Sequence, residues 1–229
     1  MQDINILYED NHLLVAVKPQ NILSQSDKTE DADFLSILKN YIKEKAGKQG
    51  NVYLGLVHRL DRPTGGVMVF AKTSKCASRL AEQMQANKFE KRYLAITEGV
   101  VKEKVKRLEN FLKKDEKNNI VKICPLSENG AKKAITIYKE LSANQTQSLL
   151  DVNIETGRSH QIRVQLANIK CPLCGDNKYG EKLQKTDNLA LWAYFLSFEH
   201  PTKKTRMKFL AMPPEKYPWN EFNIEKLVK

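Results

Sequence analysis

The chain has 229 residues, of which 41% are hydrophobic and 28% are charged, and this composition excludes an intrinsically disordered chain. Lysine and arginine number 38 against 27 aspartate and glutamate residues, so the formal net charge is +11. This excess favours a polyanionic partner, first nucleic acid and then an anionic membrane surface, although a solvated lysine-rich surface would give the same count.

No apolar run approaches the roughly 18 residues that a membrane-spanning helix needs. Residues 1–10 lack the basic and apolar regions of a secretory signal. The four cysteines, Cys76, Cys124, Cys171 and Cys174, are few and irregularly spaced, which favours reduced thiols over a disulfide framework. We therefore expect a cytoplasmic protein with no membrane attachment.

The first half of the chain predicts strands and two helices joined by short turns. Apolar residues at helical spacing follow Asp33, a candidate N-cap, and the resulting helix is expected to end near Gly47. A second helix is expected to begin after the N-cap Ser74 and to end by Asn87. Short apolar segments bounded by turn residues predict the strands of this half, which are residues 4–8, 13–17, 54–57 and 67–71.

The second half of the chain predicts mostly strands. Those indicated by alternating or apolar segments are residues 93–97, 134–138, 148–154, 189–198 and 205–210. Residues 100–119, which are dense in lysine and glutamate, predict a strand and an exposed hairpin. Residues 160–168 predict a helix, residues 171–188 a loop, and a short helix is expected from about Trp219.

These elements together predict the fold class. Many strands joined mostly by short turns, with three or four helices, predict an α+β fold. Its sheet is expected to be mixed but largely antiparallel, and to be flanked by helices and loops. No internal repeat or low-complexity linker interrupts the chain, so residues 1–229 are expected to form a single domain.

The loop between the predicted strands 54–57 and 67–71 contains the first candidate for chemistry. Asp61 lies in this loop among the cations Arg59, Arg62 and Lys72. Nearby cations lower the pKa of a carboxyl group, so Asp61 is expected to stay ionised, as a nucleophile or a base requires. On this evidence alone, a structural aspartate in a salt-bridged turn is the more common explanation.

The segment TGRSHQIRVQ at 156–165 is the second candidate. Ser159 is a possible N-cap of the predicted helix, and the amides at a helix N-terminus favour a bound anion. Arg158, His160 and Arg163 are crowded around this helix start. An ordinary basic helix face, with His160 as a structural hydrogen-bonding residue, explains the segment as well.

Two further motifs are weaker on their own. Tyr93 follows Lys91 and Arg92 into a strand, where its ring either belongs to the core or stacks on an unpaired base, a contact worth about 1–3 kcal/mol. The pair Cys171 and Cys174 has the CxxC spacing, but no second pair follows at a metal-ligand spacing. The core explanation is preferred for the tyrosine, and a coincidence in a loop for the cysteines.

Four stretches taken together resemble, in order, the motifs of the RluA family of pseudouridine synthases. The resemblance extends from about residue 4 to residue 214, and it looks like the catalytic domain of the family without the S4-type RNA-binding domain that some members carry. The stretches are HRLDRPTGG at 58–66, KRYLAITEG at 91–99, TGRSHQIRVQLANIKCPLCGDNKYG at 156–180 and LALWAYFLSFEHP at 189–201.

The resemblance implies an enzyme that isomerises selected uridines in ribosomal or transfer RNA to pseudouridine. It implies no metal, nucleotide or redox cofactor, no obligate protein partner and a monomer. Asp61 matches the essential aspartate of the family, Tyr93 the tyrosine that stacks on the target base, and Arg163 the arginine that pairs with the aspartate. The residues expected to bind RNA in a central basic cleft around Asp61 are His58, Arg59, Arg62, Lys72, Arg158, His160 and Gln161.

Several alternatives stay open at this point. Asp61 is able to attack C1′ of the sugar, add to C6 of the uracil or take the C2′ proton, and the sequence does not choose among these routes. Gly65 stands where the family usually has serine, and Gln165 where it usually has histidine, so the target RNA is not fixed by the resemblance. A non-catalytic RNA-binding protein on the same fold is the second hypothesis, and a zinc-dependent nucleic-acid module is the third.

Overall fold

The structure is a computed structural model that describes residues 4–27, 31–47, 50–180 and 188–228. The chain divides into two compact units, which are described separately. Unit 1 comprises Met1–Glu90 and Ala193–Ala211, and unit 2 comprises Lys91–Trp192 and Met212–Lys229. The expectation of a single catalytic domain stays a prediction.

The elements confirm an α+β protein. The strands are β1 (Ile6–Glu9), β2 (Leu13–Lys18), β3 (Gly55–Leu56), β4 (Gly65–Ala71), β5 (Glu90–Glu98), β6 (Val105–Asp115), β7 (Ile120–Cys124), β8 (Lys132–Ala143), β9 (Gln147–Ile154), β10 (Leu191–Glu199) and β11 (Arg206–Leu210). The helices are α1 (Phe34–Lys45), α2 (Ser74–Gln85), α3 (Gln161–Asn168) and α4 (Ile224–Leu227), with a short 3-10 helix at Trp219–Glu221. None of the helices in the described residues is long and apolar enough to span a membrane.

Unit 1 is built on the sheet order β1-β2-β4-β10, in which β3 also pairs with β4 and β11 with β10. The pairs β1–β2, β2–β4, β3–β4 and β10–β11 are antiparallel. Every residue of β4 is buried, and alternate residues such as Val67 and Val69 pack with Leu80 of α2 and Phe198 of β10 in one apolar cluster. At Gly66, a Cβ atom would lie 2.2 Å from the carbonyl oxygen of Ala193, so only glycine fits this close approach between β4 and β10.

Unit 2 contains a sheet in the order β5-β9-β8-β6-β7, and its neighbouring pairs are all antiparallel. The strands β6 and β7 form the hairpin that the lysine-rich segment predicts. Helix α3 packs on this sheet through Val164, which lies in a cluster with Leu112, Val121 and Ala134. The helix that contains Arg163 is therefore held by the apolar face of the hairpin.

Most local predictions for the chain are confirmed, with small shifts at helix ends. Asp33 caps α1, and its carboxylate accepts a hydrogen bond of 3.0 Å from the Ser36 amide. The prediction that Ser74 caps α2 is wrong by one residue: Thr73 is the cap, and its hydroxyl accepts a hydrogen bond of 3.2 Å from the Cys76 amide. The hydroxyl of either Thr73 or Ser74 is a suitable cap, so the sequence alone does not show which of the two residues caps α2.

Two other expectations need correction. Ser159 does not cap α3, because the cap residue is His160, which has a left-handed backbone with φ of 50° and makes no capping hydrogen bond through its side chain. The expected C-terminal helix from about Trp219 is divided into the 3-10 helix and α4. Of the loop predicted at 171–188, residues 181–187 lie outside the described residues.

Candidate active site

The loop that contains Asp61 is fixed on both sides of this residue by hydrogen bonds. The hydroxyl of Ser24 donates to the carbonyl oxygen of Leu60 (2.7 Å) and accepts from the amide of Leu60 (3.1 Å), and both residues are buried. On the other side, the amide of Thr64 donates to the carbonyl oxygen of Asp61 (2.9 Å), which closes a tight turn into β4. The backbone of Asp61 is therefore positioned by unit 1 itself.

Lys18, at the end of β2, lies fully buried beneath the same loop. Its ammonium group donates hydrogen bonds to the carbonyl oxygens of Pro19 (2.9 Å), Ile22 (2.7 Å) and Arg62 (3.2 Å). Burial lowers the pKa of Lys18 to about 7, and the charge of nearby Asp61 acts in the opposite direction. Lys18 thus joins the Asp61 loop to the segment after β2, a role that the sequence did not indicate.

Arg62 and Lys72 bind other carboxylates in unit 1. The guanidinium of Arg62 forms a 2.7 Å ion pair with Asp31, and the ammonium of Lys72 forms a 2.8 Å ion pair with Glu9. Burial acts to raise the pKa of Glu9, but hydrogen bonds from Lys45 and Lys72 bring it below the usual value. The sequence placed both cations around Asp61 and missed these two partners, because neither carboxylate is close to them in the chain.

His58 and Arg59 differ in exposure. The Nε2 atom of His58 accepts a hydrogen bond of 3.2 Å from the amide of Val69, so the ring is held against β4. Arg59 is exposed next to Leu60, which is the residue that Ser24 fixes. The RNA-binding roles assigned to these two side chains stay predictions.

In unit 2, Arg163 forms a buried, bidentate ion pair with Asp176. Its Nε atom lies 2.8 Å from Oδ2 and its Nη2 atom 2.6 Å from Oδ1, and the two side chains are 5% and 0% exposed. Asp176 also accepts hydrogen bonds from the backbone amides of Lys178 (3.0 Å) and Tyr179 (3.2 Å). Sequence reasoning missed Asp176, although it belongs to the stretch 156–180 that carries the resemblance. The pairing of Arg163 with Asp61 stays a prediction.

Tyr179 joins Arg163 to His160 and to the hairpin. Its ring centroid lies 5.2 Å from the Cζ atom of Arg163, a cation–π arrangement. Its hydroxyl accepts a hydrogen bond of 2.8 Å from the amide of Val121 in β7 and lies 2.7 Å from the Nδ1 atom of His160. The imidazole of His160 is therefore within hydrogen-bonding distance of a phenol. A structural hydrogen-bonding role for this histidine is the alternative that the sequence left open.

Gln161 is buried, and its side chain amide is used within the protein. The Oε1 atom accepts hydrogen bonds from the Thr156 hydroxyl (2.7 Å) and the Arg158 amide (3.1 Å), while Nε2 donates to the carbonyl oxygen of Ile135 (2.9 Å). These bonds fix the turn before α3. Arg158 itself is exposed, and its Nε atom donates to the carbonyl oxygen of Lys133 (2.9 Å). Direct RNA contacts by Gln161 and Arg158 stay predictions.

Tyr93 lies in β5 opposite Val152 of β9 and is 8% exposed. The preceding residue, Arg92, points to the other face of the strand and forms an ion pair with Asp151. The predicted site residues are divided between the two units. Unit 1 contains Asp61, His58, Arg59, Arg62 and Lys72, and unit 2 contains Tyr93, Arg158, His160, Gln161 and Arg163.

The CxxC pair lies in the turn after α3. Cys171 and Cys174 are both buried and outside any disulfide, and burial raises the pKa of Cys171. In the part of the chain that the structure describes, no three histidine, cysteine, aspartate or glutamate side chains are grouped as metal ligands would be. A thiol with a raised pKa is also a weak nucleophile.

Comparison with known proteins decides the family. Residues 12–168 match the family described as RNA pseudouridylate synthase. The chain belongs to the RNA pseudouridylate synthase family. Its substrate class is therefore RNA and its reaction class is isomerisation, as the motif resemblance implied.

Individual members of the RNA pseudouridylate synthase family resemble most of the chain. An uncharacterized RNA pseudouridine synthase of Aquifex aeolicus is 34% identical to this chain, and the matched region covers 93% of this chain and 71% of the relative. Ribosomal large subunit pseudouridine synthase C of Buchnera aphidicola is 35% identical over 90% of this chain and 66% of its own length. The chain therefore spans about two thirds of the length of each of these relatives. The solved structure of human RNA pseudouridylate synthase domain containing 4 has a TM-score of 0.76 at 25% identity, over 92% of this chain and 88% of that one.

Proposed function

We propose that this chain isomerises selected uridines of ribosomal RNA to pseudouridine, with the carboxylate of Asp61 acting on the target nucleotide. One observation carries the proposal: the family match spans residues 12–168, which include Asp61, Tyr93 and Arg163. A protein that only bound RNA would gain nothing from Asp61 in a loop fixed by Ser24 and Lys18, because a carboxylate repels the phosphates of the backbone.

The reaction as proposed rearranges bonds without adding or removing atoms overall. The bond between C1′ of the ribose and N1 of the uracil breaks, the uracil turns, and a bond forms between C1′ and C5. The proton on C5 leaves to solvent, and N1 takes up a proton. Since the product is an isomer of the substrate, the proposed reaction consumes no nucleotide and involves no net oxidation or reduction. We also propose that it uses no metal, as the motif resemblance implies. The three routes for Asp61 stay open within this scheme.

The target nucleotide must leave its base stack before C1′ is accessible, which costs a few kcal/mol. In this proposal Tyr93 stacks on the uracil, a contact worth about 1–3 kcal/mol, and so offsets part of that cost. Arg59, which is exposed beside Leu60 and Asp61, occupies the space that the nucleotide leaves in the RNA. Arg163 keeps the charge of Asp61 paired during the reaction.

Ribosomal RNA is the substrate we favour over transfer RNA. The relative from Buchnera aphidicola is named for the large ribosomal subunit, and a net charge of +11 suits a large polyanion. We also propose that the chain acts in the cytoplasm as a monomer, without an obligate protein partner. Its four cysteines, none of them in a disulfide, suit a reducing compartment.

Tritium release tests the activity directly. RNA transcribed with uridine tritiated at C5 loses the label to water when C1′ becomes bonded to C5, because C5 then gives up its hydrogen. The wild-type chain should release tritium from large-subunit ribosomal RNA, and Asp61→Asn should release none while keeping its fold. Asp115→Asn is the matched control, because this carboxylate only accepts hydrogen bonds in the turn of the hairpin β6–β7, and it should keep the wild-type rate. Absence of release by the wild-type chain from all cellular RNA fractions would favour the non-catalytic RNA-binding protein.

A further inference from the structure

Lys91, in β5, is a partly buried cation whose role neither the motifs nor the proposed chemistry assigns. It lies two residues before Tyr93, and alternate residues of a strand point to the same face, so the two side chains share one face of β5. Its Nζ atom lies above the turn before α3, since a Cβ atom on Gly157 would be 3.7 Å from it. Arg92 points to the opposite face and binds Asp151.

The surroundings of Lys91 differ from those of two other lysines that are withdrawn from solvent. Lys18 donates to three carbonyl oxygens, and Lys72 is paired with Glu9. Within the described ranges 4–27, 31–47, 50–180 and 188–228, no acceptor or carboxylate is joined to the Lys91 ammonium by a hydrogen bond or an ion pair. Burial lowers the pKa of Lys91.

A cation that is partly removed from water carries a free-energy cost unless hydrogen-bond acceptors or an anion bind it. On the side of the turn before α3, the ammonium of Lys91 faces Gly157, which has no side chain to cover it. The next residue is Arg158, whose Nε atom is bound to the carbonyl oxygen of Lys133, so a second positive charge is fixed at the same turn. This combination favours an anion over a neutral group, because two positive charges at one turn attract a negative charge more strongly than they attract a neutral carbonyl oxygen.

We propose that Lys91 binds a phosphate of the RNA backbone next to the nucleotide that stacks on Tyr93. This inference rests on the proposed function, since it assumes that RNA reaches the face of β5 that contains Tyr93. A lysine ammonium binds phosphate as a point charge through charge-assisted hydrogen bonds. Lys91 therefore contributes affinity without reading the base.

The salt dependence of RNA binding tests the proposal on the full chain. The probe is unmodified large-subunit ribosomal RNA transcribed in vitro, titrated from about 50 to about 200 mM salt. Each phosphate that the protein no longer neutralises makes the slope of log K against log salt shallower by about 0.7–0.9. Lys91→Met keeps most of the side chain and removes the charge, so its slope should become shallower by that amount. The affinity advantage of the wild type over Lys91→Met should consequently shrink about threefold across this range.

Two variants serve as controls. Lys91→Arg keeps the charge and should keep the wild-type slope, and Lys75→Met, which removes an exposed charge on α2, should also keep it. A wild-type slope for Lys91→Met would overturn the proposal, and so would a fall in kcat/KM at an unchanged slope, which would indicate a contact to the uracil. If Lys91→Met does not fold, the comparison of Lys91→Gln with Lys91→Arg gives the same test. Failure of the proposed function is recognised separately, as absence of tritium release by the wild type.

Discussion

Replacing Asp176 by alanine tests the buried ion pair that holds Arg163. The change removes a carboxylate with a 0% exposed side chain and leaves the guanidinium of Arg163, which is 5% exposed, without its bidentate partner. The backbone amides of Lys178 and Tyr179 lose an acceptor as well. Breaking a buried pair by removing one partner typically costs about 3–5 kcal/mol, because an uncompensated charge is left in the interior.

This cost converts into a large thermal shift. The entropy of unfolding is about 2.1 cal/mol/K per residue, or about 0.5 kcal/mol/K for a chain of 229 residues. We therefore expect Asp176→Ala to lower the melting temperature by about 6–10 °C. Because two apolar residues leave no charge unpaired, the double variant Asp176→Leu, Arg163→Met should regain much of the lost stability, although it is expected to be inactive.

Calorimetry with a matched surface control decides the outcome. Glu128 forms an ion pair of 2.9 Å with Lys113, but both side chains are 43% exposed. Glu128→Ala should therefore cost less than about 1 kcal/mol and lower the melting temperature by no more than about 2 °C. If Asp176→Ala shifted the transition as little as Glu128→Ala does, the pair would not stabilise unit 2, and the role of Asp176 in holding Arg163 would be refuted.

Three other residues give further predictions. Lys18→Met should lower the free energy of unfolding by at least about 2 kcal/mol in urea titrations, because three carbonyl groups lose their donor; a change below about 0.5 kcal/mol would contradict this role. Burial raises the pKa of Tyr138 from 10.0 to about 12, so its contribution to stability is complete below pH 10 and is lost as the pH rises through 12. Tyr138→Phe should accordingly lose less stability than the wild type between pH 10 and pH 11, and parallel curves would disprove the assignment. Arg59→Ala should weaken RNA binding and slow tritium release without changing the melting temperature, whereas wild-type kinetics would exclude its proposed role.

Elements whose signals are local in the chain could be predicted from the sequence. The hairpin β1–β2, the cap at Asp33 and the strand–loop–strand around Asp61 depend on turn residues, apolar spacing and side chains within a few positions of one another. The motif resemblance likewise selected the family correctly. Helix starts could not be placed to the residue, because Thr73 and Ser74 are equally good caps and the backbone of His160 is left-handed.

The partners of the candidate site residues could not be predicted, because they come from distant parts of the chain. Lys18 is 44 residues from Arg62, and Lys72 is 63 residues from Glu9. The Asp176 carboxylate is closer to Arg163, but nothing in the spacing shows that the loop after α3 folds back onto the helix. Such contacts depend on tertiary packing and not on local propensity.

The departure from the family pattern at Gln165 has a structural explanation. Its Oε1 atom accepts a hydrogen bond of 2.7 Å from the hydroxyl of Thr136, and its Nε2 atom donates to Oδ1 of Asn110 (2.8 Å) and to the carbonyl oxygen of Leu108 (3.2 Å). The side chain is fully buried and joins α3 to β6 and β8. This substitution is therefore part of the packing of unit 2.

We propose that this chain converts uridines of ribosomal RNA to pseudouridine and that the carboxylate of Asp61 is required for the reaction. Pseudouridine mapping across total RNA tests it most directly, in cells that contain the wild-type chain, the Asp61→Asn variant or neither. We predict discrete positions in ribosomal RNA that are modified only with the wild-type chain. Identical maps in all three strains would contradict the claim.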